Sequence, residues 1–349
     1  MKIGFDAKRY FSNSTGLGNY ARWLINSLPQ DQIESILYQP KSTGKSSPAP
    51  ISFPKSWYKW VPSLWRSKFI CKQLQNEHLD VYHGLSNELP FGIHKLKLKT
   101  VVTIHDLINL RYPENYGVID RFIYKKKLDY AQKYATKIVV PSEQTKKDLL
   151  YFFDTDPNKI EVIPLSLPKP RAIEKTVDLS DYILCVSGFS KRKNLEALLE
   201  AYKHVPGKIR LLLVGKGGDT TSQIQRKSKE DNRIEIRQNV TDKELSQLYS
   251  DALFCVYPSL FEGFGLPILE AFLHGKTAAT SNISSMPEVG GDAATYFDPQ
   301  DVCSIRDAIE FLLIQSNRKQ KELEIPNQLA LFNSNYLINK YIKLYKSLF

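Results

Sequence analysis

Short apolar runs recur along this chain, each closing on polar residues and followed by a stretch of helical spacing. In the first half "KIGFDA", "VYHGL" and "TVVTIHDL" read as strands, and "ATKIVVPSEQTKKDLLYFF" reads as strand, turn and helix. Later, "YILCVSGFSKRKNLEALLEAY", "IRLLLVGKG", "IEIRQNVTDKELSQLY" and "ALFCVYPS" repeat the rhythm. Apolar strands alternating with amphipathic helices predict parallel sheets buried on both faces, because a parallel pair needs a crossover between its strands. Two such sets, each of about 150 residues, predict an α/β protein with two Rossmann-like, doubly wound domains.

Between the sets, "VIPLSLPKPRAIEKTVDLSD" (162–181) holds three prolines and few helix signals, and reads as an extended connector. The polar stretch "QPKSTGKSSPAP" (39–50) reads as a surface loop. At the far end, Tyr336, Leu337, Tyr341, Ile342, Leu344, Tyr345 and Leu348 fall on one helical face, which predicts a helix that docks.

Composition narrows the class. With 349 residues, 42% hydrophobic and 11% aromatic, the chain can bury a substantial core. No apolar run approaches the roughly 18 residues of a membrane span, and "MKIGFDAKRYF" has no apolar run of signal-peptide type. Cys71, Cys185, Cys255 and Cys303 fit no metal-ligand spacing, so the expectation is a cytoplasmic protein without disulfides or a cysteine metal site. The formal charge of +11 is uneven: residues 1–165 carry 24 Lys and Arg against 15 Asp and Glu, residues 166–349 carry 24 against 22. A basic first half points to an anionic partner: phosphates, an anionic membrane or nucleic acid.

The most specific chemistry sits in "SLFEGFGLPILEA" (259–271), where Glu262 and Glu270 bracket an apolar run broken by Gly263, Gly265 and Pro267. Proline suits the first position of a helix, so "PILEAFLHG" would place Glu270 in its first turn and leave Glu262 in the loop before it. The N–H groups of about Phe264 to Leu266 would then face an anion, and glycines at 263 and 265 would let a phosphate approach. A nucleotide sugar offers hydroxyls on both sides of its diphosphate. The plainer alternative makes Glu270 a partner of the helix dipole, worth about 0.3–1 kcal/mol, and Glu262 a solvated loop residue.

From "FEGFGLPILEA" the sequence resembles the retaining glycosyltransferases of family 4, which carry glutamate, seven residues and glutamate in this context. "TSNISSMPEVGGDAATYFDPQD", "HGLSNELP", "TVVTIHDL" and "VVPSEQTKKDLL" resemble the same family in the expected order, from about residue 1 to 320. The resemblance implies a GT-B architecture with an interdomain cleft. An acceptor-binding domain (1–165) would face a nucleotide-sugar donor domain (166–330), with a C-terminal helix (331–349) crossing back to the first. It assigns Glu262 to the donor sugar and Glu270 to the ribose hydroxyls.

Other pieces follow from the same resemblance. "VSGFSKRKNLEALLEAY" offers Lys191, Arg192 and Lys193 to the diphosphate, although a solvated charge run is the plainer reading. Lys193 matches the family's lysine. Phe189 stands where the family's arginine usually lies, with Arg192 as its candidate replacement. His105 in "TIHDL" would contact the hexose, while Asp106 could cap a helix. His83 ends a strand and reads as packed or capping, with the acceptor side as the alternative. Gly16 and Gly18 resemble the family's glycine loop, but they lack a full dinucleotide fingerprint, so a dehydrogenase is set aside. Gly215 would lie against the cleft, and the backbone at Asn239 and Val240 would read the base.

The implied activity is a retaining, metal-independent hexosyl transfer from a nucleotide-diphosphate sugar, with GDP-mannose favoured, to a saccharide or lipid-linked acceptor in surface polysaccharide assembly. No cofactor or metal is expected beyond the co-substrate. The rival readings are a catalytically inactive nucleotide-sugar or polyanion binder, and an inverting transferase or epimerase. "KSWYKWVPSLWRSKFICKQL" (55–74) places three of four tryptophans among five basic residues. That suits peripheral contact with an anionic membrane on its inner face, a sugar-binding surface, or partly buried core. No nucleic-acid motif accompanies it, and that partner is set aside.

Overall fold

The computed structural model describes residues 1–13, 16–168 and 182–349; most of the expected connector, residues 169–181, lies outside the described residues. The chain divides into two compact units, Met1–Leu167 with Asn333–Phe349, and Pro168–Phe332.

In the first unit β1 (Lys2–Asp6) leads into the short α1 (Lys8–Ser12) and α2 (Gly16–Ser27). Then come β2 (Glu34–Tyr38), β3 (Ile51–Ser52), β4 (Val81–Gly84) and β5 (Lys99–Thr103). The long α3 (Val118–Tyr134), β6 (Lys137–Val140), α4 (Glu143–Phe152) and β7 (Ile160–Val162) complete this run. The strands form one parallel sheet ordered β3-β2-β1-β4-β5-β6-β7, with Ile3 opposite Ser35 on one side and Val81 on the other. Ser142 caps α4 by accepting from the Thr145 amide, which satisfies one of the free N–H groups at the helix start.

The second unit contains β8 (Tyr182–Val186), α5 (Leu195–Lys203), β9 (Arg210–Val214) and β10 (Ile234–Arg237). They are followed by α6 (Asp242–Asp251), β11 (Cys255–Tyr257), α7 (Leu266–Leu273), β12 (Ala278–Ser281) and β13 (Ala294–Phe297). Its sheet is parallel, ordered β10-β9-β8-β11-β12-β13. Strands β8 and β9 are apolar throughout because both faces are covered: Ile183, Leu211 and Leu213 pack with Leu198, Tyr202 and Ile309 of the helices, and Leu184 and Leu212 on the other face are buried as well. Thr241 and Glu244 form a reciprocal capping box at the start of α6.

The last helix, α8 (Ser334–Lys346), belongs to the first unit. It buries Leu337, Ile338, Tyr341, Leu344 and Tyr345, whereas Tyr336, placed on the docking face by its spacing, is exposed. Tyr336 lies in the first helical turn, and Ile338 takes the inward position instead. Trp23 of α2 donates to Ser334 Oγ at 2.8 Å, and Tyr341 meets the Tyr20 hydroxyl at 3.0 Å. The loop at 39–50 is mostly exposed, and no helix among the described residues is long and apolar enough to cross a membrane.

Candidate active site

In each sheet the strand order reverses beside the first strand of the set, between β1 and β4 and between β8 and β11. The carboxyl ends of the strands at such a switch point open a crevice, because successive crossovers leave on opposite sides.

In the second unit this edge gathers the loops after β8, β9, β11 and β12. Glu262 lies in the loop after β11 and is 9% exposed. Its Oε1 accepts from Lys193 Nζ at 2.7 Å and from Arg192 NH1 at 2.6 Å, and the Ser259 hydroxyl donates to the same oxygen. Lys193 also donates to the Tyr257 hydroxyl at 2.7 Å, and Arg192 to the Phe261 carbonyl. The backbone of Glu262 is clamped as well. Its N–H donates to Ser284 Oγ at 3.1 Å, and the hydroxyls of Ser284 and Ser285 donate to its carbonyl at 2.8 and 3.0 Å. Ser284 holds this position with φ of 61°, a left-handed backbone that costs a non-glycine residue about 1–3 kcal/mol.

Burial alone would raise the Glu262 carboxyl, but Lys193 and then Arg192 outweigh it and hold the group down at about 2. Burial also dominates at Lys193 and lowers its ammonium, against the pull of Glu262. With two cations sharing one anion, Glu262 stays ionised. Phe189, which stands where the family's arginine usually lies, is a core residue at 1% exposure, packed with the second unit's apolar cluster. Its side chain therefore turns away from the polar edge.

Glu270 has a different setting. The helix begins at Leu266, one residue before the expected proline, with Gly265 before it at φ of 116°. This left-handed turn favours glycine and lets the loop of Glu262 enter α7. Glu270 Oε2 accepts from the Tyr249 hydroxyl of α6 at 2.7 Å, and its own carbonyl meets His274 Nδ1 at 2.7 Å. The Tyr249 ring stacks on His274 at 5.2 Å, and His274 Nε2 meets Ser246 Oγ at 2.7 Å. Burial raises the Glu270 carboxyl to about 7, the Tyr249 hydroxyl offsetting part of it. Gly263 and Phe264 are buried in the loop between the two glutamates. Gly215 follows β9 at the same edge, where an added Cβ would lie 1.7 Å from the Ser187 carbonyl. Asn239, exposed and at φ of 57°, follows β10 with Val240 beside it.

The candidates in the first unit form a neutral set. His105 follows β5, is 6% exposed, and its Nε2 meets the Leu85 carbonyl at 2.9 Å, which makes Nε2–H the donor. Burial lowers it to about 4, so it is a neutral imidazole near pH 7. The Tyr20 ring meets it edge-on at 4.8 Å. His83 is fully buried between the Tyr345 hydroxyl at 2.7 Å and Thr103 Oγ1 at 2.8 Å, a packed histidine. Asp106 caps the following turn through the Ile108 amide at 3.2 Å. Gly16 opens α2, and the Gly18 amide donates to Asn13 Oδ1 at 3.2 Å.

Family models now bear on this geometry: one described as "Glycosyltransferase Family 4" matches residues 14–168, and one described as "Glycosyl transferases group 1" matches residues 180–315. The chain is 33% identical over 264 residues to O-antigen chain mannosyltransferase B of Escherichia coli, covering 70% of this chain and 67% of that one. It belongs to glycosyltransferase family 4. A second relative is the serotype-specific mannosyltransferase WbdA of Escherichia coli, 32% identical over 251 residues; the match takes in 65% of this chain but only 31% of that longer protein. The fold is GT-B: HepE of Anabaena, solved in complex with UDP and glucose, superposes with a TM-score of 0.78 at 14% identity, over 99% of this chain and 100% of that one. The family 4 chain is thus a transferase of sugars, and the relatives named here transfer a hexose, mannose.

Tyr257, Ser259, Ser284, Tyr249 and His274 lie within or beside the quoted stretches but were not singled out as site residues. Ser259 opens the quoted loop and Tyr257 precedes it, but partners such as Lys193 and Glu262 are 69 residues apart in sequence, which no local spacing reveals.

Proposed function

We propose that this family 4 enzyme transfers a hexose, with mannose favoured, from a nucleoside-diphosphate sugar to a saccharide or lipid-linked saccharide in surface polysaccharide assembly, with retention and without a metal. The observation that carries this reading is the ionised Glu262 held against two cations at the carboxyl edge of the second sheet. Such a carboxylate can hold sugar hydroxyls and steady the positive charge of an oxocarbenium-like sugar, while the cations steady the departing diphosphate.

When a diphosphate enters, Lys193 and Arg192 divide their hydrogen bonds between it and Glu262, and the N–H groups at the start of α7 add to the positive field. The bond from the sugar C1 to the diphosphate oxygen breaks. The acceptor hydroxyl oxygen bonds to C1 on the face just vacated, and its proton passes to the leaving phosphate oxygen. Glu270 takes the ribose hydroxyls, and the backbone at Gly215, Asn239 and Val240 lies beside the base. His105, neutral and with Nε2–H committed to Leu85, leaves Nδ1 as an acceptor for a sugar hydroxyl.

The mannose preference leans on the relatives' names, and the UDP in HepE makes the uridine nucleotide the alternative donor. Peripheral attachment to an anionic membrane is part of the proposal. Trp57 and Trp60 are 54% and 78% exposed among lysines, while Trp65 is buried and serves the core instead.

The test is a thermal-shift and calorimetric screen, without added metal, against GDP, UDP, ADP and their sugar conjugates. A selective shift with one nucleotide that disappears in Glu270→Ala supports the donor assignment. No shift with any nucleotide sinks it and returns the polyanion-binding alternative.

A further inference from the structure

At the carboxyl end of β1 the first sheet gathers basic side chains around two carboxylates that are already paired. Asp6, the last residue of β1, is buried and receives Arg66 Nε at 2.9 and 3.0 Å. The same guanidinium reaches Glu88, beyond β4, and donates to Ser86 Oγ at 3.2 Å. Lys127 of α3 pairs with Glu88 at 2.6 Å. Both carboxylates are thereby engaged.

Two more cations stand at the same place. Lys8 and Arg9 follow Asp6 after a single alanine, and among the described residues neither side chain makes a hydrogen bond or an ion pair. The Arg9 Nε is buried without an acceptor, which leaves a strong donor desolvated. Burial lowers the Lys8 ammonium, and the neighbouring Arg66 and Arg9 lower it further. The charge of Arg9 also reaches His105 at the end of β5. Four cations therefore meet two carboxylates where the strand order reverses between β1 and β4. Uncompensated like charge in a ligand-binding crevice opposes folding, so it fits a ligand that supplies the missing anion.

We propose that Lys8 and Arg9 form an anion subsite that binds a phosphate carried by the acceptor. The proposal rests on the reading of this protein as a glycosyltransferase whose first unit takes the acceptor. Arg9 offers a planar fork suited to two phosphate oxygens, and Lys8 adds a point charge beside it. The phosphate stays intact through the transfer and only holds the acceptor in place.

The test titrates inorganic pyrophosphate into the full chain with the donor site filled by its nucleotide, for wild type, Lys8→Gln, Arg9→Ala and Lys193→Ala. At least a tenfold loss of affinity is expected in Lys8→Gln and Arg9→Ala, with melting temperature unchanged or raised because repulsion is relieved. In transfer assays these variants should raise the acceptor KM about tenfold and leave the donor KM alone. A short-chain alkyl diphosphate saccharide, the same saccharide bearing a phosphomonoester, and the unphosphorylated saccharide tell a lipid-linked phosphate from one on the sugar. Pyrophosphate binding that vanishes in Lys193→Ala and is untouched in Arg9→Ala overturns the subsite. So does a fall in melting temperature in both variants with binding per folded molecule unaltered. If no nucleotide binds at all, the donor reading fails separately, and the pyrophosphate titration still reports on Arg9.

Discussion

Glu262 and Glu270 stand eight residues apart on either side of one helix start, yet they live in opposite electrostatic conditions. The loop around Glu262 brings two cations and a serine hydroxyl to one oxygen, and the group is held as an anion to about pH 2. The helical turn around Glu270 offers one tyrosine hydroxyl against dense burial, and its carboxyl titrates at about 7. One chemical group is thus given two tasks by its surroundings. Glu262 is a fixed charge, whereas Glu270 is poised to gain or lose a proton when a ligand arrives.

The largest effect should come from removing the fixed charge. Glu262→Gln is expected to lower kcat by about a hundredfold to a thousandfold while nucleotide binding persists, the size seen when one stabilising group is lost. Equal loss of binding and turnover would instead make Glu262 a general donor contact. Next in size, Lys193→Ala removes one cation from a buried cluster and should cost about 3 kcal/mol in a denaturant titration at pH 7. Because the folded pKa of Glu262 lies below its ordinary 4.5, its contribution is complete above that value and is lost as pH falls from about 4.5 to 2. An acid titration should show that slope in wild type, and it should flatten in Glu262→Gln.

Glu270 should show the opposite sign and smaller effects. If the ribose hydroxyls donate to its ionised form, nucleotide affinity falls about tenfold per pH unit below 7 in wild type and stays flat in Glu270→Gln. A flat profile in wild type would remove Glu270 from the ribose. The ligand-free protein supplies the smallest test. Its folded carboxyl is raised, so stability declines as pH rises from about 4.5 through 7. Glu270→Gln should therefore gain on the order of 1–2 kcal/mol at pH 8, discounted for partial exposure, and almost nothing at pH 4.

The fold was readable because its signal is local. Runs such as "YILCV" and "RLLLV" are apolar throughout because helices cover both faces of a parallel strand, and they became β8 and β9. The loop holding Glu262 and the helix holding Glu270 were likewise readable, since glycine and proline mark such turns by backbone geometry. What could not be read was pairing across sequence. Nothing near Glu262 announces that Lys193 and Arg192 will seize it, or that Ser284 will accept a strained backbone to clamp it. Phe189 shows the same limit: nothing near it in sequence tells that packing turns its ring into the core. Tyr336 failed on a smaller scale, one turn too near the helix start to be covered.

The docking of α8 has a consequence for how the protein is made. The second unit is one continuous stretch and can finish folding as soon as residue 332 has cleared the ribosome. The first unit cannot, although most of it is translated earlier. His83 and Tyr20 take hydroxyl partners from Tyr345 and Tyr341, so until those tyrosines emerge a buried imidazole and phenol wait half-satisfied. The half synthesised first is therefore completed last, and a nascent chain halted before residue 341 would carry a finished second unit beside an open first one.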